Sequence, residues 1–308
     1  TDDQEAFQAA SIAVYSSGGG KLYIPAGIYI IHGSAIPVQG SNLDISGAGT
    51  AATALVLTSG ISAFAIQGST GSRLQIAAGA ISVGATSFTA QNAGDAATLA
   101  VGDWMQISET DAGAGNIIYS DWMQVLSISG TTVNVVNPFR LAFPNSRTWA
   151  SGDPGAGLAF RKLTPIENTV VRDLGIVAPY LGSAPTAIPV RYALNTHISN
   201  VYINSDGQGG IFGYQSHGLY IDSAIVNHGR EVSGGVSEIS STSNFFITHS
   251  DFTHAASGLN RNLASSNITL YGLVVDWGAA FGSVHDNHFL GAYAGILGQA
   301  AQYVEFHH

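Results

Sequence analysis

The chain has 308 residues, of which 45% are apolar and only 10% charged, with a formal net charge of −10. That is ample apolar material for one large core or an elongated stack. The charge, two lysines and scattered arginines exclude a phosphate-binding surface, and so nucleic acid. No apolar run approaches the roughly 18 residues of a membrane span.

Thirty-eight glycines argue for a turn-rich β protein. Zero cysteines exclude disulfides and thiolate metal sites and leave the compartment open. No secretory leader pattern opens the sequence. The first residues already belong to a folded element, so the native chain is expected to begin earlier.

Residues 2–16 predict an amphipathic helix. Thr1-Asp2-Asp3-Gln4 has capping-box spacing, and Ala6, Phe7, Ala10 and Val14 recur on one face. Ser16-Ser17-Gly18-Gly19-Gly20 stops it, and Leu22 to Ile30 reads as strand, turn, strand. The string TDDQEAFQAA…GGGKLYIPAGIYII resembles the amino-terminal signature of pectate-lyase-like β-helix proteins. The resemblance covers about thirty residues. It implies a helix that plugs the open end of a coil stack, and it is specific for fold, not for reaction.

Residues 77–140 alternate like antiparallel hairpins and predict a small β insertion. Residues 141–165, rich in proline, are expected to be an irregular connection. From 166 to 308 one pattern recurs: an apolar residue, polar turn residues, then an apolar strand. Its markers are Val171, Ile198, Ile221, Ile247, Ile268, Val284 and Val304, spaced 27, 23, 26, 21, 16 and 20 residues apart. Each gap is one turn of three short strands, the signature of a solenoid. The 16-residue gap is too short for a coil, so either Ile268 or Val284 is misassigned. A β-sandwich also alternates, but it does not need an asparagine-like turn position every twenty-odd residues. The fold expected is therefore all-β: a right-handed parallel β-helix over 1–76 and 166–308, with Ile198, Ile203, Ile221, Val226, Ile247 and Phe252 inside.

A filled interior leaves function to an outer face or to loops. A polar position precedes each marker by five to nine residues: Arg191, Gln215, Glu238, Arg261, Asp276 and Gln299. Stacked strands about 4.8 Å apart bring such a row together. Loops beside it add Asp206, His228, Arg230, Glu231, Asp251 and His254. Glycoside hydrolysis needs two carboxylates, and Glu238 and Asp276 lead, with Glu231 and Asp206 in reserve and Arg230 beside them. Each one alone reads equally well as a solvated loop acid. Arg191, His228, Arg261 and His254 are the candidate substrate contacts, with Tyr214 and Trp277 as stacking surfaces.

A lyase needs a base and a group that neutralises a uronate. Family lyases use Lys or Arg, sometimes with calcium, yet no lysine follows Lys162. Calcium is therefore expected only if the chain is a lyase, and no cofactor otherwise. Asn204-Ser205-Asp206-Gly207 and Ser216-His217-Gly218 are faintly similar to polygalacturonase motifs, but the aspartate pair between them is missing. Nine of ten histidines lie between His197 and His308, and His285-Asp286-Asn287-His288 is their densest string. It falls on the recurring turn, where a polar ladder accounts for it; the two imidazoles need not converge, no third ligand is evident, and no metal site is expected.

The resemblance implies a carbohydrate-active enzyme that cleaves an extracellular or capsular polysaccharide, secreted or virion-associated, with hydrolase favoured over lyase or epimerase. The competing reading is a non-catalytic, polysaccharide-binding tailspike or adhesin segment, a homotrimer if a tailspike.

Overall fold

The computed structural model describes residues 3–307 apart from 59, 78, 111–116, 145–156, 179–185, 206–208, 229–233, 255–269, 277, 291–293 and 300. The chain is a right-handed parallel β-helix with one helix at its amino-terminal end and an antiparallel sheet on its flank.

The helix Gln4–Ser16 buries Phe7 edge-on against Tyr29, with ring centroids 5.3 Å apart, and Ser11 Oγ donates to the Pro37 carbonyl at 2.5 Å. The expected cap differs. The Asp3 carboxylate makes no cap bond to the helix; it accepts the Ile30 N–H at 2.8 Å, while the Asp3 N–H donates to the Ile30 carbonyl at 2.9 Å. Asp3 thus clasps the helix to an early coil strand, meeting an open edge that would otherwise go unpaired. Deleting residues 1–17 should uncover the terminal core and give high-mass species in light scattering. A monodisperse product with unchanged melting would count against the cap.

Two parallel sheets build the stack. One runs through Gly20–Tyr23, Leu43–Ser46, Ile166–Ala178, Ala193–Ser205, His217–Asp222, Ser243–Thr248, Ala280–His285 and Gln302–Phe306. The second contains Ile36–Val38, Phe64–Gln67, Ile188–Arg191, Ile211–Tyr214, Gly234–Ser240, Leu270–Asp276 and Ala294–Gln299. Ile45, Val171, Ile198, Ile221, Ile247 and Val284 align in one column, each at most 1% exposed. Ile203, Val226 and Phe252 are also fully buried, as the pattern requires. Two markers need correcting. Ile247 pairs directly with Val284, so Ile268, which lies outside the described residues, is not a marker. Val304 sits opposite Gly282, and Phe306 takes the marker register opposite Val284.

The recurring polar position has a backbone cause. Asp173, Asn200, Ser223, His249 and Asp286 each adopt a left-handed φ, between 46° and 59°. A bend between two strands of one coil uses this conformation, and short polar side chains tolerate it best among residues with a Cβ. The side chains form a ladder: Asn200 Nδ2 donates to Asp173 Oδ1 at 2.7 Å.

The antiparallel sheet is wider than the 77–140 expected. It runs from Ser69–Thr70 to Gly157–Thr164, so the end of the stretch expected to be irregular is in fact a strand. Its own core holds Phe88, Phe139, Phe143 and Phe160. Gly68 marks where the chain leaves the stack. A Cβ there would lie 2.3 Å from the Tyr192 carbonyl and 2.6 Å from that of Thr164, so the crossing admits no side chain.

Candidate functional site

Strand register assembles a site on the outer face of the second parallel sheet, at the carboxyl ends of its strands. Gln67, Arg191, Tyr214, Ser240, Asp276 and Gln299 are successive partners in one column. Val190, Gly213, Ile239 and Val275, one residue earlier, point into the core, so alternation turns the column outward. Two residues before it stand Pro189, Phe212, Glu238 and Val274.

Glu238 and Asp276 are therefore diagonal neighbours: one strand across and two residues along. Asp276 is only 6% exposed, and its Oδ1 has no hydrogen-bond partner among the described residues. Burial pushes the Glu238 carboxyl up to about 7, with the Asp276 charge adding to it. Burial also raises Asp276 to about 6, against a hydrogen bond from Ser240 that lowers it. Two acids whose values are raised toward neutrality mark a site where proton transfer is feasible.

An aromatic and cationic surface adjoins them. The Phe212 and Tyr214 rings are stacked at 5.9 Å, and the Arg191 guanidinium lies 5.3 Å from the Tyr214 ring and 5.9 Å from Phe212. Burial and the neighbouring Tyr192 raise the Tyr214 phenol, which Arg161 and Arg191 only partly offset. A phenolate is thus disfavoured there.

The structure brings Arg191, Tyr214, Glu238 and Asp276 together. Gln215 departs from the expected row. It lies one residue past the column at a turn with φ 48°, where its amide oxygen accepts from Arg161. Asp206, Arg230, Glu231, Arg261 and Trp277 lie outside the described residues, while His228 and His254 pair with each other as strand partners on the other sheet. His285 pairs with the adjacent Asp286 at 2.9 Å. Among the described residues no group of three or more potential ligands could hold a metal ion.

Two members of the site escape sequence reasoning. Phe212 shares the outward face with Tyr214 two residues on, a period-two signal that was available. Arg161 comes from the antiparallel sheet. It donates to Gln106 Oε1 at 2.8 Å and stands 5.2 Å from the Tyr192 ring. No spacing within the coils could have announced it.

No family model matches the chain. By shape it is similar to two phage tailspikes: gp49 of Pseudomonas phage LKA1 (TM-score 0.62, 15% identity, 96% of this chain and 52% of that one) and gp61 of Pseudomonas phage phi297 (TM-score 0.56, 14% identity, 99% and 57%). The chain thus spans about half the length of each. By sequence, 65 residues, or 20% of the chain, are 43% identical to 6% of mannuronan C5-epimerase AlgE2 of Azotobacter vinelandii. At these identities the tailspike likeness bears on fold alone, and that fold is a right-handed parallel β-helix.

Proposed function

We propose that this chain hydrolyses an extracellular or capsular polysaccharide in a groove along the second parallel sheet, with Glu238 as general acid and Asp276 as general base. One observation carries the reading: two desolvated carboxyls on adjacent strands, one rising to about 7 and the other to about 6, beside stacked aromatic rings. The higher value suits a group that protonates the leaving oxygen, and the lower one a group that activates water. A diagonal step in a parallel sheet separates the backbones by about 8 Å. That suits inversion, in which the carboxyl groups stand about 6.5–9.5 Å apart with water between them.

Phe212, Tyr214 and Arg191 would bind the sugar, and Arg191 would favour an acidic one. Lyase or epimerase chemistry is less well supported. It asks for a base other than the acid pair, and the raised Tyr214 phenol is a poor one. The local likeness to an epimerase of mannuronan supports an acidic polysaccharide as substrate without fixing the reaction. The tailspike-like fold supports a virion-associated or extracellular setting, and it keeps a second reading alive: a binding segment of a trimeric tailspike without turnover.

Incubation with a panel of bacterial and plant polysaccharides separates the readings. Hydrolysis releases reducing ends with no new ultraviolet absorbance from unsaturated sugars. Unsaturated products would overturn hydrolysis in favour of elimination. Retention of the polysaccharide on the protein with no product would favour the binding segment.

A further inference from the structure

A second cleft lies where the antiparallel sheet leans on the coil stack, on the other side of the turn that carries Gln215. Its volume is about 570 Å³, within the roughly 300–1,000 Å³ of small-molecule sites. Trp104, Trp122 and Arg140 line it from the antiparallel sheet and its following loop, and His217 and Asn244 from the coils.

A closed circuit of hydrogen bonds underlies these residues. Arg140 donates from one nitrogen to Asp121 Oδ1 at 2.7 Å and from another to Asn244 Oδ1 at 2.6 Å. That fixes the Asn244 amide, whose nitrogen donates to His217 Nε2 at 3.0 Å. His217 Nδ1 therefore carries the hydrogen and donates to Ser243 Oγ at 2.8 Å. Ser243 in turn hydrogen-bonds the Asp121 carboxylate, which closes the loop. Burial, with Arg140 adding to it, holds His217 down at about 4, so the ring is neutral. Asp121 and Arg140 cancel each other, and among the described residues no other formally charged one lines the cleft.

The circuit locks every rotamer before any ligand arrives, which lowers the ordering cost of binding. Above it stand three rings: Trp104 and Trp122 lie 6.1 Å apart, and His217 lies 6.1 Å and 6.0 Å from them. Trp122 is 3% exposed and its indole N–H has no acceptor among the described residues. Trp104 is half-buried, a ring supported from behind with surface to spare.

We propose that this cleft is a sugar-binding subsite for uncharged pyranose residues, which stack on Trp104 and hydrogen-bond to Asn244 and the Arg140 guanidinium. The inference rests on the polysaccharide reading and adds a chemical class: the polymer carries neutral residues as well as any acidic ones. The absence of a free charge is what selects them, since a uronate here would meet a guanidinium already committed to Asp121.

Hexamers of glucose, mannose and galactose, with hexamers of galacturonate and mannuronate, are titrated into the full chain while tryptophan fluorescence and heat are recorded. A neutral hexamer should quench the fluorescence. Its affinity should fall at least tenfold in Trp104→Ala and largely survive in Trp104→Phe. The absence of binding by any neutral hexamer overturns the inference, and so does binding that withstands Trp104→Ala or a preference for the uronates. Product release from the polysaccharide panel is scored in parallel. Products from a chain whose neutral-sugar binding ignores Trp104→Ala sink the cleft and leave hydrolysis standing. Trp104-dependent binding without product does the reverse.

Discussion

Glu238→Gln and Asp276→Asn should each lower turnover on a cleaved polysaccharide by about 10²–10⁴-fold, the usual share of general acid–base catalysis. Both replacements keep volume and hydrogen-bonding shape, so melting should change little at pH 5. The pH profile is the sharper readout. The proposed mechanism needs Glu238 protonated and Asp276 ionised, which would confine activity to a bell between about 6 and 7. Asp276→Asn should flatten the acid limb of the residual activity, and Glu238→Gln the alkaline limb. Stability follows with its own sign. Both folded values are raised, so the stabilisation these acids give is full below the ordinary carboxylate range and is lost as pH rises through 6 to 7. The melting temperature of Glu238→Gln should therefore gain on the wild type between pH 5 and 8. Full activity in both variants would place the groove on another face.

Phe245→Ala should cost about 3–5 kcal/mol in chemical denaturation, the range for removing a buried aromatic ring. Phe245 is fully buried, and its ring occupies space that Gly282, in the next coil, leaves free. A Cβ on Gly282 would fall 2.0 Å from the ring, at Phe245 Cζ. Gly282→Ala should therefore also destabilise, by about 1–3 kcal/mol through overpacking. Gly282→Ala combined with Phe245→Leu should recover part of that loss, because the smaller side chain vacates the contested volume. Additive losses in the double variant would show that the two residues do not share it.

The coil stack was legible because its rules are periodic. Inward aliphatics and a left-handed turn residue return once per coil. Ile268 misled because its sequence imitates a marker, whereas the strand beside Ile247 brings Val284 to that position. The acid pair was legible for a related reason: Glu238 and Asp276 share one outward face of one sheet. Gln215 was not. A single-residue offset moved it from the face into a turn, and one residue is the least that reverses a side chain's direction in a strand. Arg161, Trp104 and Trp122 reach the coils from an antiparallel sheet that folds on its own core. Nothing in their spacing encodes where that sheet comes to rest.

The outward column has one further property. Its members come from successive coils, so the site is graduated like a ruler, with one mark per strand spacing of about 4.8 Å. Each coil touches only its neighbours. Gaining or losing a whole coil would move the marks relative to the acid pair and leave every inward-facing residue in its usual surroundings. If the groove binds sugar as proposed, the length of chain it spans can thus change in whole steps, independently of the acid pair.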